Sequence, residues 1–212
     1  MSKKKKYMYR LILIIFSLIS MEAIASGFES AIPIILKHEG KLSDDPSDKG
    51  GITKYGISLR YLKQLIASRP DLMSNYDLSH DKIINDYDIA NMSIEEAREL
   101  YRTQFWDKLK IGRINNQRIA TKVLDMSVNM GTSRAIKLLQ QACGKLSGSN
   151  HLAINGTLDN ETVGFINELD GKQEKRLLEL LRIVSKEYYM YIATKHPTYK
   201  RFLAGWLRRG KE

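Results

Sequence analysis

Cysteine is nearly absent from this chain, which has one, Cys143, in 212 residues. A lone thiol cannot form a disulfide within the chain, and no base that would activate it is evident in the sequence. We therefore interpret Cys143 as a small buried residue of a helix. Its isolation excludes a fold held together by internal disulfides and gives no support to thiol catalysis.

Zinc-ligand spacings are also missing, and so are basic motifs interleaved with aromatic residues. We therefore expect no metal and no cofactor. The formal net charge of +10 attracts polyanions in general, which include nucleic acid, anionic lipid and bacterial wall polymer. Because no nucleic-acid-binding motif accompanies the charge, we do not expect a nucleic acid partner.

The apolar run Leu11–Ile19 is shorter than the ~20 residues that a transmembrane helix needs. Four lysines, Lys3–Lys6, precede the run, and the small-x-small site Ala23-Ile24-Ala25 follows it. This order predicts a signal peptide over residues 1–25, cleaved after Ala25. The alternative is a leader retained as an inner-membrane anchor. We expect an exported protein, periplasmic or secreted, that touches the membrane only through its leader.

Apolar residues recur with a helical period through most of the remaining chain, and strand signals last only a few residues. The patterns predict helices at 28–37, 58–67, 93–106, 116–130, 132–142, 172–195 and 198–208, and a further helix that is capped by either Thr157 or Asp159 and ends at Leu169. We predict an all-α fold with a minor β component, a small hairpin beside Glu39. A boundary near Gly112–Asn116 divides it into two lobes, 26–114 and 115–212, each small for an independent core.

Two local patterns complete the helical prediction. Residues 69–91 show no clear period, so we expect an irregular segment with a short helix near Lys82–Asn85. Ser93 followed three residues later by Glu96 is a capping box, which predicts the start of the next helix.

We interpret the basic C-terminal residues, including Arg208 and Arg209, as a solvated face.

The stretch His38–Ser58 carries the strongest chemical signal. Glu39 ends an apolar helix, and a turn-rich segment with Asp48 follows before Gly50-Gly51 and Thr53. Cleaving a glycosidic bond needs a protonated acid and a second group that steadies positive charge or activates water. Apolar surroundings would raise the pKa of Glu39, whereas Asp48 on a polar loop would stay ionised. The hydroxyl of Thr53 could hold a water.

Eight residues separate Glu39 from Asp48, and four separate Asp48 from Thr53. This resembles the Glu–Asp–Thr arrangement of phage-type lysozymes, which has eight and then five, so the role of Thr53 is open. The stretch resembles more closely the family 108 glycoside hydrolases, N-acetylmuramidases related to secretion activator proteins. Lys41 stands where that family usually has a second glycine. The matching residues are Glu39, Gly40, Ser43, Asp45, Pro46, Asp48, Gly50, Gly51, Thr53, Gly56 and Ile57.

The resemblance continues through Met92–Ala97, Asp125–Gly131 and the end, Arg201–Leu207. It implies a lysozyme-like helical fold in which Glu39 is the catalytic acid and peptidoglycan is the substrate. Under this resemblance, residues 26–114 are the catalytic lobe and residues 115–212 resemble a predicted peptidoglycan-binding part. We expect a monomer that acts on peptidoglycan glycan strands.

The other candidate site residues each have a structural alternative. Asp48 either serves catalysis or forms the turn before Gly50, and Thr53 belongs either to the site or to a strand. Tyr55 either stacks on sugar or lies half-buried in the core. Asp125 and Asn129 share a helix face and either contact the glycan or bond to the Glu39 loop.

The leading hypothesis is an exported muramidase that hydrolyses the β-1,4 bond between N-acetylmuramic acid and N-acetylglucosamine, with Glu39 as general acid. A lytic transglycosylase would use the same carboxyl and leave an anhydro sugar. A non-catalytic wall-binding protein that kept the fold is the remaining alternative, and the presence of Glu39 argues against it.

Overall fold

A computed structural model describes residues 26–39, 42–43, 51–149 and 152–210, and the predicted signal peptide lies outside them. The described part is mostly helical with one small sheet, which confirms the predicted fold class. No helix in these ranges is both long enough and apolar enough to cross a membrane. The α-helices are α1 (Phe28–Glu39), α2 (Leu59–Ser68), α3 (Met73–Tyr76), α4 (Asp86–Asn91), α5 (Ile94–Tyr101), α6 (Gln117–Met130), α7 (Thr132–Ser147), α8 (Asn160–Asn167), α9 (Gly171–Lys195) and α10 (Lys200–Gly210).

Shorter helical turns connect several of these helices. A 3₁₀ turn at Pro70–Leu72 precedes α3, a π-helical segment at Arg102–Asp107 extends α5, and a 3₁₀ turn at Ile111–Arg113 leads towards α6. A third 3₁₀ turn, Pro197–Tyr199, joins α9 to α10. Proline at the first position of two of these turns supplies the required φ without losing a helical donor.

The small sheet consists of β1 (Leu42–Ser43), β2 (Thr53–Lys54) and β3 (Ile57–Ser58), all antiparallel and in the order β1-β2-β3. Ser43 pairs with Thr53, which pairs in turn with Ser58. The sheet follows α1 directly and leads into α2, whose N-cap is Ser58. The predicted hairpin is therefore a three-stranded ribbon at the C-terminal end of α1.

Helix α6 is the centre of the core. Every residue from Ile119 to Ser127 is buried, and α1, α7 and α9 all pack against this helix. A helix that is buried all round must be surrounded by other elements. The predicted division at 112–116 falls at the 3₁₀ turn before α6, and α6 packs on helices from both predicted lobes.

Local capping accounts for several helix starts. The Ser93 hydroxyl accepts from the Glu96 backbone N–H at 3.1 Å, and the Glu96 carboxylate accepts from the Ser93 N–H at 2.6 Å. This confirms the capping box predicted from the sequence. Asp170 starts α9 in the same way, with Gln173 as the reciprocal partner.

Residues 82–85 are not helical, so the short helix predicted there is wrong. Lys82 has φ 65°, which is incompatible with a right-handed helix, and its N–H donates to the Asp77 carboxylate at 2.8 Å. Asp88 accepts from the N–H groups of Leu78, Ser79 and Asn85. Two buried carboxylates thus order this segment through backbone donors that periodicity does not register.

Helix α1 begins at Phe28, as predicted, and Pro33 lies inside it, which leaves the Glu29 carbonyl without its helical donor. Two further expectations need correction. Helix α7 passes through Gly144 to Ser147, beyond the predicted stop. Arg209 is 8% exposed and is not part of a solvated face, because α10 turns its C-terminal end towards α6.

Candidate active site

The candidate site is organised by the end of α1. Phe28, Ile32 and Ile35 are buried on one side of this helix and fix it against the core. Glu39 is the last residue of the helix, as predicted. Asp48 and the side chain of Glu39 lie outside the described residues, so their predicted roles stay predictions.

The ribbon connects Thr53 to the end of α1, because Thr53 pairs with Ser43 in β1, the strand that follows α1. Leu42 begins β1 three residues after Glu39, so the two Cα atoms are within ~11 Å. Thr53 occupies the central strand, half-buried, with Ser43 and Ser58 as its cross-strand neighbours. Its hydroxyl donates to the Gly51 carbonyl at 3.3 Å. Thr53 is therefore a strand residue, and a long bond of this kind leaves its oxygen able to accept from a ligand or water.

Tyr55 forms the turn between β2 and β3. It is half-buried and has φ 50°, a left-handed conformation that is unfavourable for a residue with a Cβ. The Tyr101 hydroxyl donates to its carbonyl at 2.8 Å, and Lys54 Nζ donates to the Ala90 carbonyl at 2.7 Å. These two bonds fix the turn to α5 and α4, so the ribbon is a positioned element of the site.

Asp125 lies on α6 and is 5% exposed. Its Oδ1 accepts from Arg209 Nε at 2.6 Å, and its Oδ2 is 3.5 Å from Lys122 Nζ. The carboxylate thus joins α6 to the end of α10. The predicted contact between Asp125 and glycan stays a prediction, and the geometry assigns this residue at least a structural role.

Asn129, one turn further along α6, is half-buried and accepts a hydrogen bond from the Tyr189 hydroxyl at 2.8 Å. Asp125 and Asn129 share a helix face, as predicted, and that face is directed at α9 and α10. The structure therefore brings Thr53 and Tyr55 together on the ribbon and places Asp125 and Asn129 on the face of α6 that meets α9 and α10.

A cavity of about 260 Å³ lies between α1, α6 and α9, and we call it the interhelical cavity. Asp125 and the buried Lys122 are on its wall. Lys122 shares a helix face with Ile119 and Met126, and a lysine among inward-facing apolar residues is the sequence signal that could have identified it. The residues that line the interhelical cavity are Ser30, Ile34, Lys37, Gln117, Arg118, Thr121, Lys122, Asp125, Leu178 and Arg182.

Burial lowers the pKa of Lys122, and the neighbouring Asp125 carboxylate offsets part of that effect. Burial also disfavours the charged form of Cys143 and raises its pKa to about 12, which makes the thiol a poor nucleophile at neutral pH. Within the described ranges, no group of three or more His, Cys, Asp or Glu side chains is arranged to hold a metal ion.

Comparison with known proteins gives two family matches. Residues 32–131 match the family model described as Glycosyl hydrolase 108, and residues 134–211 match the model described as Predicted Peptidoglycan domain. The matched regions meet between α6 and α7. The predicted division at 114/115 stays a prediction. None of the curated proteins compared with the chain gives a significant match.

Among solved structures, SagA from Brucella abortus is similar to this chain with a TM-score of 0.64 and 22% sequence identity. The likeness covers 87% of this chain and 89% of that one. At this level of identity the comparison shows a shared fold.

Proposed function

We propose that this chain is an exported muramidase that cleaves peptidoglycan, because residues 32–131 match the glycosyl hydrolase 108 model and residues 134–211 match the peptidoglycan model. The bond is the β-1,4 link between N-acetylmuramic acid and N-acetylglucosamine. The observation that carries the proposal is the placement of Glu39, inside the hydrolase match, as the last residue of α1 and three residues before the ribbon. The helical peptidoglycan match from residue 134 onwards supports a wall polymer as substrate.

In the proposed mechanism, the Glu39 carboxylic acid donates its proton to the bridging oxygen of the glycosidic bond. The C–O bond breaks as positive charge develops on the sugar that carries the anomeric carbon. Asp48 either steadies that charge or directs the water that completes hydrolysis. Thr53, on the central strand, holds this water, and Tyr55 offers its ring to a sugar face.

The ribbon contributes rigidity to this mechanism. The bonds from Tyr101 to the Tyr55 carbonyl and from Lys54 to the Ala90 carbonyl hold Thr53 and Tyr55 in fixed positions. Positioned groups lower the barrier because they need no reorganisation during the reaction. We place the reaction outside the cytoplasm, since that is where peptidoglycan lies.

Mass spectrometry of fragments released from purified sacculi tests the proposal. Muramidase action leaves N-acetylmuramic acid with a free reducing end, because water enters at the broken bond. Fragments lighter by one water, with an anhydro ring, would identify a transglycosylase and overturn the hydrolytic step. Intact sacculi that bind the protein without releasing fragments would identify a wall-binding protein and overturn catalysis.

A further inference from the structure

None of the described residues that line the interhelical cavity belongs to the ribbon. Ser30, Ile34 and Lys37 line the cavity, at the i, i+4, i+7 spacing of one helix face. Position 39 is about half a turn away from that row at ~100° per residue. The cavity is therefore a second candidate site, which shares no described lining residue with the ribbon.

The lining of the cavity is strongly cationic. Lys37, Arg118, Lys122 and Arg182 all contribute to it, whereas Asp125 is the one acidic side chain among the lining residues that the structure describes. That carboxylate is already engaged, because Arg209 Nε binds its Oδ1 at 2.6 Å. A concave surface with this balance attracts an anion.

Lys122 is the innermost cation, 5% exposed. Within the described part of the chain, the Nζ of Lys122 has two hydrogen bonds, both long: 3.5 Å to Asp125 Oδ2 and 3.3 Å to the Arg209 carbonyl. An ammonium group has three donors, so one N–H is left for a ligand. A buried charge that is weakly paired is costly, and an anion in the cavity would reduce that cost.

The size and the apolar wall of the cavity restrict the ligand further. About 260 Å³ is smaller than pockets for drug-sized molecules, so it holds a short chain end. Leu178 is buried in the wall, and Ile34, 42% exposed, forms part of the rim. A carboxylate next to small apolar groups fits this combination of cationic floor and aliphatic wall.

We propose that the interhelical cavity binds the free carboxylate at the end of a peptidoglycan stem peptide. The inference rests on the proposed function, which makes peptidoglycan the substrate. The cavity lies between α6, in the hydrolase match, and α9, in the peptidoglycan match. Carboxylates are the anionic groups of the wall peptides, and their terminal alanine methyl groups suit the contact with Leu178. A peptide held here would orient the attached glycan relative to the rest of the enzyme.

Calorimetric titration of the purified protein with D-alanyl-D-alanine tests the proposal directly. We expect saturable one-to-one binding. The C-terminal amide of the same dipeptide, which lacks the carboxylate, should bind at least about tenfold more weakly. Equal binding of acid and amide would overturn the proposal, as would no binding of either. Inorganic phosphate that binds as tightly as the dipeptide would show a general anion site and would overturn the assignment to wall peptide.

Variants locate the binding site. Lys122→Met keeps the aliphatic bulk and removes the charge, so it should weaken dipeptide binding at least about tenfold. Should that protein fail to fold, the double variant Lys37→Gln/Arg118→Gln changes only exposed rim residues and should weaken binding as well. Lys186→Met, at an exposed position of α9 outside the lining, is the matched control and should bind like the wild type. Unchanged binding in the cavity variants would overturn the site.

Dipeptide binding and sacculus hydrolysis can be tested independently of each other. Glu39→Gln protein should bind the dipeptide with unchanged affinity, even if it no longer cleaves sacculi. An active muramidase that ignores the dipeptide would overturn the cavity assignment alone. A protein that binds the dipeptide but releases no fragments would overturn the proposed activity alone.

Discussion

Arg209 and Asp125, 84 positions apart in sequence, form a buried ion pair with Nε 2.6 Å from Oδ1. The pair joins the last helix to the central helix α6. Lys122 Nζ donates to the Arg209 carbonyl and adds a second link between the same helices. The end of the peptidoglycan-matched region is thus anchored in the core of the hydrolase-matched region.

Breaking this ion pair should cost far more stability than breaking an exposed pair. Asp125→Ala leaves a buried guanidinium without its carboxylate, so we expect the free energy of unfolding to fall by about 3–5 kcal/mol in urea denaturation. Glu179→Ala, which breaks the exposed pair with Arg176, is the control and should cost less than about 1 kcal/mol. Similar losses for the two variants would contradict the role of the buried pair.

Tyr101→Phe tests whether the ribbon is a positioned part of the active site. Losing the bond to the Tyr55 carbonyl should cost about 1 kcal/mol of stability. We expect faster hydrogen exchange in residues 51–58 and a lower rate of sacculus hydrolysis. Tyr87→Phe, at a ring that is 55% exposed, is the control and should change neither. Unaltered exchange in the ribbon of the Tyr101 variant would argue against this anchoring.

Gly156 and Gly164 should respond in opposite directions to alanine. A Cβ at Gly156 would lie 2.7 Å from Ser133 Oγ, and the residue has φ 79°, so we expect a loss of at least about 1–2 kcal/mol. Gly164 lies inside α8 with open space around it, so alanine should add up to about 1 kcal/mol. Thermal unfolding of both variants measures these changes in stability relative to the wild type. A stabilised Gly156→Ala protein would contradict the close approach to Ser133.

Asp159 should make the stability of α8 depend on pH. The Thr162 backbone N–H donates to its carboxylate and lowers the pKa below the ordinary 3.8. Because the folded-state pKa is the lower one, the stabilisation is present above pH 3.8 and is lost as the pH falls through the folded pKa. Asp159→Ala should cost about 1 kcal/mol at neutral pH, from the lost cap.

Melting temperatures compared at neutral and strongly acidic pH check this dependence. The gap between the wild type and Asp159→Ala should narrow in acid. Asp159→Asn, which keeps a capping oxygen without a charge, should retain most of the stability at both pH values. A gap that widened in acid would mean that the pKa of Asp159 is raised in the folded state.

The sequence predicts well where local signals decide the structure. Ser93 with Glu96 marks the start of α5, and Glu39 is the last residue of α1, as expected. It predicts poorly where contacts without a helical or strand period decide. The loop before α4 depends on backbone N–H groups that donate to Asp77 and Asp88 five and ten residues away, and the burial of Arg209 depends on Asp125, which is 84 residues away.

The two candidate sites differ in how far the sequence alone could predict them. The order of Glu39, Asp48 and Thr53 in one stretch is a local pattern, so the sequence alone could assemble it. The interhelical cavity takes residues from three helices that lie far apart in sequence. Residue 122 carried a detectable signal as a lysine on an apolar face, but neither Lys37 nor Arg182 shows in the sequence that it belongs to a common surface.

Sacculus hydrolysis by Glu39→Gln protein is the most direct test of the central claim, that the residue-39 carboxyl donates the proton. The change keeps the size of the side chain and removes the acid, so fragment release should fall by at least about 100-fold while the melting temperature stays near that of the wild type. Glu29→Gln, on the same helix with a side chain that is 65% exposed, should hydrolyse sacculi at the wild-type rate. Wild-type fragment release by a folded Glu39→Gln protein would contradict the account.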